Sequence, residues 1–132
     1  MEKNKIIKEI ITSIFDAFKR GDTKEIENHL HEKASVWDVF TPDMIIGKKN
    51  LEAFHNHDQE QKESRGYLSI KLEEPMIREW NDFAIATYCL DFNYEEPNAL
   101  KGKVRITDLF VLNEGNWQII HHHEGLIPNE KS

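Results

Sequence analysis

Apolar residues recur along this chain with two different periods. Near the start, Ile6, Ile10, Ile14 and Phe18 repeat every four residues, with Ile7, Ile11 and Phe15 in a row beside them. This spacing predicts a helix of about five turns carrying one apolar stripe. Lys8, Glu9, Asp16, Lys19 and Arg20 take its wet side, and Gly21 offers a left-handed cap. Asp22, with Glu25 three residues on, predicts a second helix, short and ending before Ala34.

The period then drops to two. Residues 34–40 read as a strand, with Val36, Asp38 and Phe40 on one face and Ser35, Trp37 and Val39 on the other. Residues 41–43 form a loop. Gly47 precedes a third helix whose inner face holds Leu51, Phe54 and Asp58, and residues 59–65 are polar enough to fray. Leu68, Ile70 and Leu72 alternate with polar neighbours, Pro75 marks a bend or bulge, and Asn81-Asp82 is a turn. Ala84, Ala86, Tyr88, Leu90, Phe92 and Tyr94 share one side of a long strand. A polar loop containing Pro97 leads into residues 104–124, two strand-like runs around the turn Asn113-Glu114-Gly115-Asn116. This is the clearest hairpin signal in the chain. A short tail follows from Pro128.

Three helices and then a long antiparallel meander make an α+β pattern. The expectation is a single domain over residues 1–132. A cone-shaped, curved antiparallel sheet wraps the N-terminal helices and leaves a cavity at one end. The 132 residues suffice for one domain with a sizeable core. A net charge of −7 argues against nucleic acid or an anionic membrane as a partner. Charge interrupts the first ten residues, so no signal peptide is expected, and no run approaches membrane-span length. The single cysteine, Cys89, has no intrachain disulfide partner, which fits a reducing cytoplasm.

Two stretches carry a family resemblance. VWDVFTPDMIIGKKNLEAF, residues 36–54, resembles the strand, loop, glycine and helix of the nuclear-transport-factor-2-like superfamily, and of its SnoaL-like members in particular. RITDLFVLNEGNWQIIHHH, residues 105–123, resembles that family's closing hairpin: Arg-x-Thr, a turn ending in Gly-x-Trp, then His-x-His. The resemblance covers nearly the whole chain and implies the curved-sheet fold. The fold hosts isomerases, cyclases, dehydratases, transport factors and oligomerisation hubs. Within the superfamily, ketosteroid isomerase has its catalytic base in a segment similar to residues 36–40, which implies that role for Asp38. Its oxyanion-stabilising acid falls on Asp108, while the position of its helix-one tyrosine is Ile14 here. The association domain of calcium/calmodulin-dependent protein kinase II ends similarly to residues 115–121. Where its pocket has arginines, Leu90, Asp108 and Glu124 stand here, which implies an acidic cavity.

The candidate chemistry follows. Asp108 sits in a row of apolar residues with Val104, Ile106, Phe110 and Leu112. A carboxylate there belongs to a pocket or is paired at the rim with Arg105 or Lys103. Asp38 and Asp108 are the candidate catalytic pair, a general base and a neutral donor, because burial and a second carboxylate raise a carboxyl pKa. On that view Asp108→Asn leaves the fold intact or stabilises it. Trp37, Phe54, Tyr88, Leu90, Phe110, His122 and Glu124 are candidate ligand-binding residues, and the Tyr88 hydroxyl is a candidate replacement for the missing tyrosine. Strict alternation puts His121 and His123 on one face with Trp117 and Ile119, and His122 on the other with Gln118, Ile120 and Glu124. His55, His57 and Asp58 add further metal-type side chains, but three or four converging ligands are required. No metal and no cofactor is expected. The reading is a small-molecule-binding protein with a largely apolar ligand, as an acid–base isomerase, cyclase or dehydratase of a carbonyl compound. The alternative is a non-enzymatic ligand-binding or oligomerisation module. A homodimer packed through the sheet is expected in either case.

Overall fold

A computed structural model describes residues 2–60, 67–96 and 99–128. Of the stretch expected to fray, residues 59 and 60 still belong to a helix, and residues 61–65, like Pro97 and the tail after Pro128, lie outside the described residues. Helix α1 runs Glu2–Arg20 and buries Ile7, Ile11 and Ala17 almost completely. Ile6 breaks the predicted stripe and is exposed. The helix ends as its sequence predicts: Gly21 takes φ 78°, its N–H donates to Phe18 O, and the Asp22 N–H donates to Ala17 O. This pair of bonds satisfies the last carbonyls of the helix. Asp22 then caps α2 (Thr23–Asn28), its carboxylate accepting from the Glu25 N–H at 3.1 Å.

Strand β1 covers Leu30–Trp37, starting four residues before the predicted strand and ending three residues earlier. Its end has a local cause. The Asp38 carboxylate accepts the Phe40 N–H at 2.9 Å, and the Thr41 N–H donates to Asp38 O at 3.3 Å. An aspartate that bonds the backbone two residues on turns the chain out of the sheet. Strand β2, Ile45–Ile46, is only two residues long and pairs with Ser35 and Val36. Gly47, at φ 89°, leads into α3 (Lys48–Glu60), which buries Leu51.

The remaining strands are β3 (Leu68–Leu72), β4 (Met76–Glu79), β5 (Phe83–Tyr94), β6 (Leu100–Asn113) and β7 (Asn116–Leu126). β3 and β4 lie on the same edge of β5, separated at Pro75, which has no N–H for a ladder. The β6–β7 turn places Glu114 and Gly115 at positive φ, the geometry that matches the twist of a hairpin. The order is β2-β1-β7-β6-β5-β3, a curved sheet that stays open. It is not antiparallel throughout: β1 lies parallel to β7. No helix among the described residues is long and apolar enough to cross a membrane.

The concave face carries Ala84, Ala86, Tyr88, Leu90 and Phe92 from β5, and Val104, Ile106, Asp108 and Phe110 from β6. The first half of α1 is tied to β4 by Asn4 to Glu79, and to the β3–β4 connection by the ion pair Lys8–Glu74. Its second half lies over the other end of the sheet, where the core opens.

The candidate functional site, a cavity with a carboxylate–histidine ladder

One irregularity of β7 builds the site. Leu109 pairs with His121, but Phe110 pairs with Ile119, so Ile120 is an extra residue. Such a bulge reverses the alternation beyond it. Trp117 and Ile119 face the core before the bulge, and His122 and Glu124 face it afterwards, opposite Asp108 and Ile106. Strict alternation would have sent the two groups to opposite faces. His121 and His123 turn to the convex side, where Ser35 Oγ and His121 Nδ1 lie 2.7 Å apart and Trp37 packs on His123.

The space between α1, α3 and the sheet is a cavity of about 610 Å³. Its walls are mainly apolar, with Ile14, Phe15 and Phe18 from α1, and Leu90, Phe92 and Val104 from the sheet. Its polar side holds Asp38, His55, Asp58, His122 and Glu124, and no Lys or Arg among the described residues borders it. Of the predicted site residues, Asp38, Phe54, Leu90, His122 and Glu124 border the cavity. The other four lie elsewhere. Trp37 is 45% exposed on the convex side, Phe110 is wholly buried in the core, and Tyr88 and Asp108 stand behind the cavity wall. Sequence reasoning weighed His55 only as a metal ligand. Yet it stands four residues after the buried Leu51, the spacing that shares a helix face.

A hydrogen-bonded ladder runs from behind the wall into it. Tyr88 donates its hydroxyl to Asp108 Oδ2 at 2.5 Å. Asp108 Oδ1 pairs with His122 Nδ1 at 2.5 Å, and His122 Nε2 with Glu124 Oε2 at 2.9 Å. Glu124 Oε1 accepts the Val39 N–H at 3.1 Å, which fixes the chain beside Asp38. Burial alone would pull the His122 pKa down. The carboxylates of Asp108 and Glu124 on its two nitrogens reverse this and hold it well above the usual value, so it stays an imidazolium. Burial pushes Glu124 up, but the bond to His122, the charge of His122 and the bonds to Val39 and Asp38 together outweigh this and leave it lowered. Burial of Tyr88 next to Asp108 raises its pKa well above 10.0 and keeps it a donor.

Asp38 behaves differently. Burial, and then the charge of Glu124, push it up to about 6. It is the carboxyl of the site that loads and unloads a proton near neutrality. Asp108, by contrast, is committed to Tyr88 and His122 and is 1% exposed. That geometry reverses the expectation for Asp108→Asn. The charge to be removed already has a buried cationic partner, and losing one member of such a pair is costly. Among the described residues no group of three or more His, Cys, Asp or Glu side chains could hold a metal.

Comparison with known proteins agrees with this architecture. Structures similar to the chain include an NTF2-like protein of unknown function from Pseudomonas putida, with a TM-score of 0.87 at 18% identity over 98% of this chain and 90% of that one. A ketosteroid isomerase-like protein from Erwinia carotovora gives 0.78 at 14% identity, covering 97% and 98%. A protein from Xanthomonas campestris, provisionally named as a calcium/calmodulin-dependent protein kinase II association domain, gives 0.71 at 14%, covering 90% and 86%. These likenesses concern the fold. Comparison with curated protein sequences returned no match. The family model for the SnoaL-like domain matches residues 7–129, nearly the whole chain, and the protein belongs to that family.

Proposed function

We propose that this protein binds a small, largely apolar carbonyl compound and moves a proton on it, as an isomerase, cyclase or dehydratase. The observation that carries this reading is Asp38: a carboxyl held near 6 in the wall of a mainly apolar cavity of about 610 Å³. A general base works best when its pKa lies near the working pH. Ionised Asp38 takes a proton from the carbon beside the carbonyl, and protonated Asp38 returns it to a neighbouring atom. Glu124, beside it, stays ionised because His122 holds it so. Asp108 acts as a positioning residue, since it fixes His122 and does not border the cavity.

The test is proton exchange. Phenylcyclohexanone in deuterium oxide should lose its α-protons faster with the protein than without, and Asp38→Asn should remove a roughly hundred-fold or larger enhancement. Equal exchange with both proteins ends the catalytic reading. No change in the NMR signals of cavity residues on adding the ketone ends the binding reading as well.

One feature favours a second reading, ligand binding without chemistry. Both nitrogens of His122 are occupied, and Ile14 borders the cavity where the isomerase has its tyrosine, so the usual oxyanion donor is missing. In either reading the protein is a homodimer through the convex face, where Trp37, Ile46 and Met76 are exposed.

A further inference from the structure

An acid–base pair, His55 and Glu27, stands at the helical wall of the cavity and takes no part in the ladder. His55, on α3, borders the cavity, and its Nδ1 lies 3.5 Å from Glu27 Oε2 on α2. Both side chains are buried, at 15% and 11% exposed. The separation is too long for a hydrogen bond, and neither atom has another hydrogen-bond partner among the described residues. An unsatisfied carboxylate oxygen and an unsatisfied imidazole nitrogen are each costly in an interior. Two such atoms facing each other form a pair waiting to tighten, and in ligand-free sites catalytic hydrogen bonds are often long.

We propose that His55, oriented by Glu27, is a second proton-transfer residue of this cavity. With Nδ1–H turned to Glu27, Nε2 is the nitrogen left with a lone pair for a proton. The Glu27 carboxylate fixes this tautomer in the way an acidic partner orients a catalytic histidine. The groups that set the charge of His55 come from three elements: Glu27 on α2, Asp58 on α3 and His122 on β7. Burial dominates among them and keeps His55 below its usual pKa, so the imidazole is neutral at physiological pH. Asp38 is pushed up towards neutrality while His55 is pushed down, so the two groups stand in the same cavity with their proton affinities drawn together. The cavity therefore carries two separate proton-transfer groups, one on the sheet side and one on α3. Reactions that remove a proton at one atom and deliver one at another need such a couple, and a single shuttling carboxylate does not provide it. The inference rests on the acid–base reading of the cavity given above.

The test uses nitrobenzisoxazole, an apolar probe of general bases. The base takes the ring C–H proton, the N–O bond breaks, and a coloured cyanophenolate forms. In the Asp38→Asn protein, whose main base is gone, a residual rate should persist and follow a titration below the normal histidine range. His55→Gln in that background should reduce it to the solution rate, a loss of about tenfold or more. Glu27→Gln should move the profile to lower pH, because Glu27 is what raises His55, and Glu27→Asp should restore it. Long-range proton–nitrogen NMR of the same proteins should show His55 protonated at Nδ1 in the wild type.

An Asp38→Asn protein that binds the probe without turnover overturns the role of His55 and leaves Asp38 as base. A residual rate indifferent to His55→Gln does the same. A Glu27→Gln protein that lowers the rate without moving the profile overturns the dyad. A wild-type cavity that neither binds nor converts the probe overturns both this inference and the reading beneath it.

Discussion

Asp108→Asn changes two atoms at the centre of the ladder. Asparagine keeps an oxygen for the Tyr88 hydroxyl, so that bond survives. Its amide now faces His122 Nδ1, which can accept only if it has lost its proton. The imidazolium then becomes a neutral ring bonded to Glu124 through Nε2, and the charged bond at Nδ1 is gone. A hydrogen bond to a charged group contributes about 1.5–3 kcal/mol. The substitution keeps the shape and some of the bonding, so the expected loss is about 2 kcal/mol. For 132 residues, at roughly 2.1 cal/mol/K each, this lowers Tm by about 7 °C. The loss should also depend on pH. His122 has a folded pKa above its unfolded one, so its contribution is complete below the unfolded value of 6.5 and fades as pH rises through the folded pKa. Thermal melts of both proteins at about pH 6 and about pH 9 should show the wider gap at the lower pH. A mutant as stable as the wild type at about pH 6, or a gap that does not narrow at high pH, would refute the ladder as the reason for burying Asp108.

Asp38→Asn should act in the opposite sense. The wild type bears a half-buried charge only above about 6, so the variant should melt higher at about pH 8, with its advantage shrinking as pH falls through 6. Deleting Ile120 takes out the extra residue and leaves Trp117, Ile119, His122 and Glu124 on the core face in one regular alternation, so the variant should still fold. Loss of cooperative melting in the deletion variant would contradict the phase argument. Light scattering at micromolar concentration should give twice the 15.6 kDa chain mass, and a 15.6 kDa species alone would remove the dimer.

Features legible in the sequence are those set by near neighbours. The α1 stripe from Ile7 onward, its glycine cap, the Asp22 cap and the Glu114-Gly115 turn all depend on contacts within a few residues, and each is found where its local pattern puts it. Features that depend on distant strands were not legible. Leu30 enters β1 because β7 lies parallel alongside it, and residues 30–33 offer no period of their own. Ile45–Ile46 is too short to show alternation. The bulge at Ile120 involves no glycine or proline, and nothing in Trp117-Gln118-Ile119-Ile120 marks the extra residue. For this reason Asp108 was recognisable as an odd carboxylate in an apolar row, while its imidazolium partner was not. His55 could have been found from its four-residue spacing to Leu51, had the third helix been read for an acid–base group as well as for metal ligands.

The central claim is that Asp38 is a proton-transfer group inside a ligand cavity. Carbon-13 NMR titration of the aspartate carboxyl carbons, with Asp38 assigned by its loss in Asp38→Asn, tests it most directly. The account predicts one aspartate titrating near 6, with a midpoint that moves when phenylcyclohexanone is added. An Asp38 that titrates near the ordinary value of 3.8 and ignores the ketone would contradict it.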